Sequence, residues 1–326
     1  MENTEILIET RNLSKDYPVR AKGVFDEKQY VHAVEELNLS ITKGITFGLV
    51  GESGCGKSTI GQMLAQIIPA TKGRILYDGT EFSTMKKPDQ KNLKRKIQMV
   101  FQDPYASLNP RRKIGWTLEE PLISCTRLKR KQRIRKVEEI LREVGLDESY
   151  KEKYPNELSG GQRQRVSIAA ALILEPEFII ADESVSALDV SVQAQILNLL
   201  KKLQKERGLT YLFISHDLNV VQYMSDEIGV MYLGHLVEVG KAEAVYNHPA
   251  HPYTRALLSA VPKVKGDIKE RIMLEGEVPN PINMPKGCPF HTRCKEAQSC
   301  CKTEMPGVKE VGKEHFVYCH KVGGKS

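Results

Sequence analysis

The chain has 326 residues, 40% of them hydrophobic and 27% charged, with a formal net charge of +7. That length and apolar content fit one large packed domain with a smaller appendage. No stretch approaches the roughly 20 apolar residues that cross a bilayer, which excludes a membrane-spanning subunit, and no basic-then-apolar leader opens the chain, so a cytosolic protein is expected.

Residues 6–9 predict a strand, ended by a turn over Leu13 to Pro18, where Pro18 pushes Tyr17 toward an extended conformation. Residues 20–30 are polar and contain Gly23, as an inserted loop would. Val31 to Ile41 alternates apolar and polar positions and predicts paired strands. Lys43-Gly44 then turns the chain into an apolar strand, Ile45 to Val50. The next residues are Gly51-Glu52-Ser53-Gly54-Cys55-Gly56-Lys57-Ser58-Thr59, and a helical apolar pattern follows from Thr59 to Ile68. A G-x-x-x-x-G-K-[ST] run between a strand and a helix is the context a phosphate-binding loop requires. Glycines let backbone N–H groups face phosphate oxygens, and the helix N-terminus adds favourable partial charge. Lys57 is expected to reach the β- and γ-phosphates and Ser58 to hold Mg²⁺. The segment thus implies nucleotide binding.

Further strands are predicted at 73–77, 97–101, 178–181 and 210–214, and a hairpin at 228–239 around Gly234. Helices are predicted over 163–174, 190–206 and about 218–225, with apolar residues at core spacing. From Pro104 to about Pro155 a Pro- and Arg-rich connector leads into a helical pattern carrying Val137, Ile140, Leu141 and Val144 and closed by Gly145. This reads as a helical insertion in an α/β core whose strands are mostly parallel. The basic cluster from Arg127 to Lys136 reads as a solvated helix face rather than a nucleic-acid patch. Beyond about 245 the chain becomes Pro- and Gly-rich. Of seven cysteines, Cys55 and Cys125 are isolated, whereas Cys288, Cys294, Cys300, Cys301 and Cys319 cluster in the tail, a distribution that favours metal ligation over disulfides in a cytosolic chain.

Further motifs follow the phosphate loop: Gln102-Asp103-Pro104, Leu158-Ser159-Gly160-Gly161-Gln162, Phe178-Ile-Ile-Ala-Asp182-Glu183, Ser186-Ala-Leu-Asp189 and His216. In this order they make the chain resemble the ATP-binding subunits of ATP-binding-cassette (ABC) transporters over nearly its whole length. The resemblance implies an α/β P-loop NTPase of ABC type: a mostly parallel core sheet, an antiparallel β subdomain, a helical subdomain inserted before the signature motif, and a small cysteine-containing extension. The implied domains are 1–245, with the helical part at about 103–160, and 246–326. It further implies Glu183 as the residue that polarises the attacking water, His216 as the γ-phosphate switch, and Gln102 as the sensor of Mg²⁺ and water. Tyr17 would stack on adenine. Asp182, with Ser58 and Gln102, would hold Mg²⁺. Ser159, Gly160, Gly161 and Gln162 would close over the ATP of a second subunit in a head-to-tail dimer.

Gln102 to Arg111, His248 to Leu258 and the tail from Gly287 to His320 resemble stretches of di- and oligopeptide importers, and the leading segment leans toward the second of their two ATPase subunits. Nickel and other solute importers share much of this pattern. The implied partners are a second ATP-binding subunit (another copy of this chain being possible), two transmembrane permeases and an extracytoplasmic peptide-binding protein, with this chain peripheral on the cytoplasmic face of the membrane. No direct nucleic-acid partner is expected, since neither a coiled-coil-split cassette nor a tandem cassette of the DNA-repair or translation type is present. Cys288-x₅-Cys294-x₆-Cys301-x₁₇-Cys319 gives four thiolates suited to Zn²⁺ or [4Fe–4S] on physical grounds. The resemblance favours an iron–sulfur cluster, and with it Cys301 over Cys300.

Overall fold

The computed structural model describes residues 5–19, 28–186, 188–261 and 272–323. Most of the expected loop at 20–30, Ala187 of the Ser186–Asp189 motif and part of the Pro/Gly-rich stretch after 245 lie outside the described residues. The chain divides into two compact units, residues 1–63, 67–83 and 215–326 on the one hand and 64–66 and 84–214 on the other.

The first unit opens with β1 (Ile6–Pro18) and β2 (Tyr30–Thr42), which pair antiparallel. The expected turn over Leu13 to Pro18 is absent. Breaks in register after Thr10, Leu13 and Lys15, with Asn12 at φ 48, carry β1 through to Pro18 as a bulged strand. Bulges disrupt two-residue alternation, which is why the segment reads as a turn. The expected paired strands at 31–41 are likewise one strand, kinked at Glu36 with φ 45. β4 (Lys72–Tyr77) pairs with β1, and the short β5 (Thr80–Glu81) with β4, giving an antiparallel sheet of order β2-β1-β4-β5.

Beside it, β3 (Thr46–Val50) leads through residues 51–56 into α1 (Lys57–Leu64). β3 pairs parallel with β9 (Glu227–Tyr232), which turns at Leu233-Gly234 into β10 (His235–Lys241). Gly48 lets α8 (Leu218–Met224) lie directly on β3, since a Cβ there would meet Ser225 Oγ at 2.3 Å and Val221 Cγ1 at 2.5 Å. α9 (Ala242–Asn247) and α10 (Pro252–Ser259) follow. The cysteine tail ends in a hairpin absent from the sequence reading, β11 (Val308–Gly312) and β12 (His315–Tyr318), with β12 paired to β10 through Glu238–Val317 and Val239–Phe316.

A buried polar network secures this return. Glu238, fully buried, accepts from the backbone N–H of Ala250 at 2.8 Å and of His251 at 2.9 Å, and from His315 Nε2 at 2.7 Å. His251 caps α10 by accepting from Tyr253 N at 3.1 Å. Next to His251, Tyr232 meets Tyr253 and Phe290 edge to face and Tyr253 lies tilted against Phe290, with centroids 4.8 to 5.3 Å apart. The extension is thus knit to the same unit as the phosphate loop by backbone pairing, buried hydrogen bonds and aromatic packing.

In the second unit β8 (Thr210–Ile214), β7 (Phe178–Asp182) and β6 (Ile97–Val100) run parallel in that order. Every residue of β7 and β8 is buried, as continuous apolar runs covered on both faces require. Each large apolar side chain so buried contributes roughly 1.5–3 kcal/mol. α6 (Gly160–Leu172) and α7 (Val190–Arg207) carry the apolar faces around them, and α7 stops at Gly208, φ 64. The helical part holds α2 (Lys87–Lys96), α3 (Pro104–Ser107), α4 (Ile114–Cys125) and α5 (Arg130–Glu143). The Arg127–Lys136 cluster falls at the start of α5, where Arg133 pairs with Glu119 and Lys136 with Glu175.

Burial holds the His251 imidazole down to about 4, against the opposing pull of Glu238. Below its unfolded value of 6.5 the unfolded chain takes up a proton that the folded chain refuses. Stability is therefore full above that value, falls as pH falls from there to about 4, and levels off below. His251→Asn keeps an N-cap acceptor without a titrating ring. It is expected to flatten this part of the acid dependence in urea unfolding followed between pH 7 and 4, and an unchanged slope would show that His251 is not its source.

Candidate functional site

The loop between β3 and α1 owes its shape to glycines. Gly51, Gly54 and Gly56 have φ of 152, 78 and 102. A Cβ on Gly51 would strike the Met231 carbonyl at 2.2 Å, and one on Gly56 the Ala33 carbonyl at 2.1 Å. The loop is therefore wedged between β9 and β2, with its remaining residues free to curl around an anion. Lys57 begins α1 and is only 5% exposed. Its ammonium donates to the Gly51 carbonyl at 2.8 Å and the Glu52 carbonyl at 2.9 Å and lies 3.6 Å from Cys55 Sγ. Burial raises the Cys55 thiol, which stays neutral beside the lysine. Ser58 and Thr59 continue the first turn of the helix. Tyr17, half-buried, sits opposite Val31 with Lys15 Nζ 5.2 Å from its ring centroid, on the ribbon whose Ala33 abuts Gly56. His216, exposed, follows Ser215, whose N–H donates to the Leu49 carbonyl at 3.3 Å.

The second unit brings Gln102 and Glu183 together: Gln102 Nε2 donates to Glu183 Oε2 at 2.8 Å. Asp182 ends β7 and is 6% exposed. Glu183 holds a left-handed backbone, φ 44, fixed by its N–H to the Ile214 carbonyl at 2.9 Å and by Ser186, whose N–H and hydroxyl both donate to the Glu183 carbonyl. A non-glycine residue in that region costs of order 1–3 kcal/mol and is retained where geometry is needed. Asp189 caps α7, accepting from Val192 N at 3.0 Å, and that bond, with Ser191, holds its carboxyl below the usual range.

Ser159 caps α6 in a reciprocal box: Gln162 N donates to Ser159 Oγ at 3.3 Å and Ser159 N to Gln162 Oε1 at 2.9 Å. Gly160 is exposed, and a Cβ on Gly161 would meet Val192 Cγ1 at 2.5 Å. Arg163, buried, donates to the Pro155 carbonyl at 3.0 Å and to that of Leu158, with its guanidinium 3.7 Å from the Tyr105 ring centroid. Sequence reasoning missed this residue because its partners lie on a connector without periodicity.

In the tail, Cys288, Cys301 and Cys319 are buried and Cys294 is half-buried. Burial pushes the Cys288 thiol up to about 11, with Cys301, Cys319 and Cys294 adding to it, and burial also raises that of Cys294. Gln298 N–H points at Cys301 Sγ from 3.4 Å. Among the described residues no three His, Cys, Asp or Glu side chains converge closely enough to hold a single ion. The donor set, three buried soft thiols and a half-buried one, is of the kind that suits an iron–sulfur cluster or Zn²⁺ alike. The sequence reading also passed over Tyr253 and Arg293, which touch the phosphate loop: Glu52 N donates to Tyr253 Oη at 2.9 Å, and Arg293 Nη1 to Glu52 Oε2 at 2.9 Å. The one local signal was the position of Arg293 beside Cys294.

Known proteins match this arrangement. The ABC transporter family profile matches residues 34–186, and the oligopeptide/dipeptide transporter C-terminal region matches residues 237–301. The oligopeptide transport ATP-binding protein AppF of Bacillus subtilis is 50% identical over 98% of both chains. The dipeptide transport ATP-binding protein DppF of Escherichia coli is 47% identical over 97% of this chain and 94% of its own. Among solved structures, the post-hydrolysis dimer of the ATP-binding cassette MJ0796 bound to ADP and Pi superposes with a TM-score of 0.64 at 30% identity, covering 72% of this chain and 99% of that one. With its phosphate loop, its capped signature helix and its strained glutamate at a strand end, the chain belongs to the ABC transporter ATPases, among the ATP-binding subunits that carry the oligopeptide/dipeptide C-terminal region.

Proposed function

We propose that this chain is the ATP-hydrolysing subunit that energises uptake of di- and oligopeptides through an ABC importer. The observation that carries the reading is the joint presence of a full hydrolytic set and the C-terminal region matched at 237–301, in a chain half identical, end to end, to an oligopeptide transport ATP-binding protein. Among the described residues no helix is long and apolar enough to cross a membrane. The passage for the peptide therefore belongs to two permease subunits, and peptide selection to them and an extracytoplasmic binding protein. This chain would dock on the cytoplasmic face beside a second ATP-binding subunit.

Residue roles follow from chemistry. The backbone N–H groups from Gly54 to Thr59 and the Lys57 ammonium bind the β- and γ-phosphates, and Tyr17 supports the adenine. Bound Mg²⁺ neutralises phosphate charge, and the oxygen donors Ser58, Asp182 and Gln102 suit that hard cation. Glu183, oriented by Gln102, polarises the attacking water, and His216 holds the γ-phosphate. Ser159, Gly160, Gly161 and Gln162 close over the ATP of the neighbouring subunit, so binding joins the pair and hydrolysis releases it. Phosphoryl transfer then rests on positioning and electrostatics.

Glu183→Gln keeps the side-chain shape and is expected to lower turnover at its own site by at least ~10²-fold while ATP binding persists. Phosphate release measured beside nucleotide binding checks this, and near-normal turnover where that is the only competent site removes Glu183 from the role. Lys57→Ala is expected to weaken nucleotide binding itself by about 10²-fold, because it deletes a buried charge aimed at phosphate.

We further propose that Cys288, Cys294, Cys301 and Cys319 hold a [4Fe–4S] cluster with a structural role, since the ATPase chemistry uses no electrons. Anaerobically purified protein is expected to be brown, to absorb near ~400 nm and to carry about four irons per chain. Cys294→Ser should lose the iron and Cys300→Ser retain it. Zinc alone in elemental analysis would reject the cluster.

A further inference from the structure

Glu52, the second residue of the phosphate loop, is gripped at three points. Its carbonyl accepts from Lys57 Nζ at 2.9 Å, its N–H donates to Tyr253 Oη at 2.9 Å, and its carboxylate accepts from Arg293 Nη1 at 2.9 and 3.2 Å. Only the first contact comes from within the loop. Tyr253 stands on α10 and Arg293 in the cysteine-bearing segment, so the other two come from the C-terminal extension.

We infer that Arg293 and Tyr253 are positioning residues for the phosphate loop: through Glu52 they fix the carbonyl that aims Lys57, and the affinity for ATP depends on them. With its N–H and its carboxylate both tied, the Glu52 backbone and side chain are restrained, which narrows the range over which its carbonyl can turn from the ammonium. The ties are stiff. The Arg293 side chain is only 8% exposed, which limits screening by salt and water. Tyr253 is fully buried against Tyr232 and Phe290, and burial raises its hydroxyl so that it stays neutral. The segment bearing Arg293 is anchored on its own account, by Arg293 N to the Phe290 carbonyl at 3.0 Å and by Glu296, which pairs with Arg255 at 2.9 Å and Lys321 at 2.7 Å. An extension that served only as a lid or docking tab would need none of these contacts to the loop. The inference rests on the reading of Lys57 as the phosphate-contacting residue.

The test uses the full-length chain in its assembled complex, with kcat and KM for ATP from phosphate release and nucleotide affinity from binding titration. Arg293→Ala and Glu52→Ala are each expected to raise KM about tenfold while kcat falls less than about threefold, the pattern of lost positioning rather than lost chemistry. The double variant should be no worse than either single one, because both remove the same contact. Arg293→Lys, which keeps the charge but not the fork, should recover part of the loss, and Tyr253→Phe should show a smaller rise. Glu52→Ala leaves the extension untouched, so it carries the test even if Arg293→Ala fails to assemble. A KM within about twofold of wild type for either alanine variant, or a double-variant KM equal to the product of the single effects, overturns the inference. Lys57→Ala run in parallel separates the two readings. If it binds ATP normally, the role of Lys57 itself falls; if it loses ATP while Arg293→Ala and Glu52→Ala do not, only the positioning role falls.

Discussion

The first unit is built around one buried ammonium. Lys57 is 5% exposed, and its hydrogen-bond partners among the described residues are two carbonyl oxygens and a thiol, none of them carrying a full negative charge. Burying a cation without a counter-ion costs several kcal/mol. The surrounding structure tolerates that cost because it over-determines the loop: β3 delivers it, Gly51 and Gly56 wedge it against Met231 and Ala33, and α1 continues from it. A site with this charge balance suits an anion, the ligand for which a glycine-rich loop before a helix is shaped. An anion bound there would draw on a desolvation cost already met in folding, a form of preorganisation that a surface lysine could not provide.

The second unit solves a complementary problem, holding a carboxylate in a fixed direction. The left-handed backbone at Glu183 is locked by the bond to Ile214 on one side and by Ser186 on the other, so the side chain leaves the strand at an angle no regular β residue would adopt. Gln102 then ties Oε2. Gln102 is followed by Asp103, which caps α3 by accepting from Tyr105 N at 2.7 Å, and the ring of Tyr105 lies against Arg163 of the signature helix. The glutamate and the signature helix thus share a short run of packed, hydrogen-bonded groups. Replacing Arg163 by an aliphatic residue would strip both the stacking partner of Tyr105 and the donors that hold the Pro155 and Leu158 carbonyls.

Legibility in the sequence tracked how local the determining interaction is. The strands at 178–182 and 210–214 could be placed almost to the residue because an unbroken apolar run covered on both faces admits little else. The phosphate loop and the box at Ser159–Gln162 are local by construction. β1 reads as a strand only over residues 6–9 because its bulges erase alternation, and the terminal hairpin escaped because β11 alternates only weakly and β12 is short. The contacts that bind the extension to the loop had no local signature: Arg293 and Glu52 are 241 positions apart, and His315 and Glu238 are 77 apart. A cysteine-rich tail draws attention to its thiols, while the arginine between them reaches the nucleotide loop.

The signature helix shows why two glycines follow its serine. An α-helix begins with four backbone N–H groups that lack intrahelical partners. The reciprocal box consumes two of them, at Ser159 and Gln162, and Arg163 N opens the regular ladder to the Ser159 carbonyl at 2.9 Å. The N–H groups of Gly160 and Gly161 lie between these, at a turn with no Cβ over them. The capping box is thus not in competition with anion binding at this helix. It fixes the first turn at Ser159 and Gln162 and involves neither glycine N–H. A Cβ at Gly161 would also drive into Val192 of α7, so the residue that bares its amide is the one that lets α6 and α7 approach. Close packing of α6 on α7 therefore demands this glycine, since any side chain there would have to displace Val192.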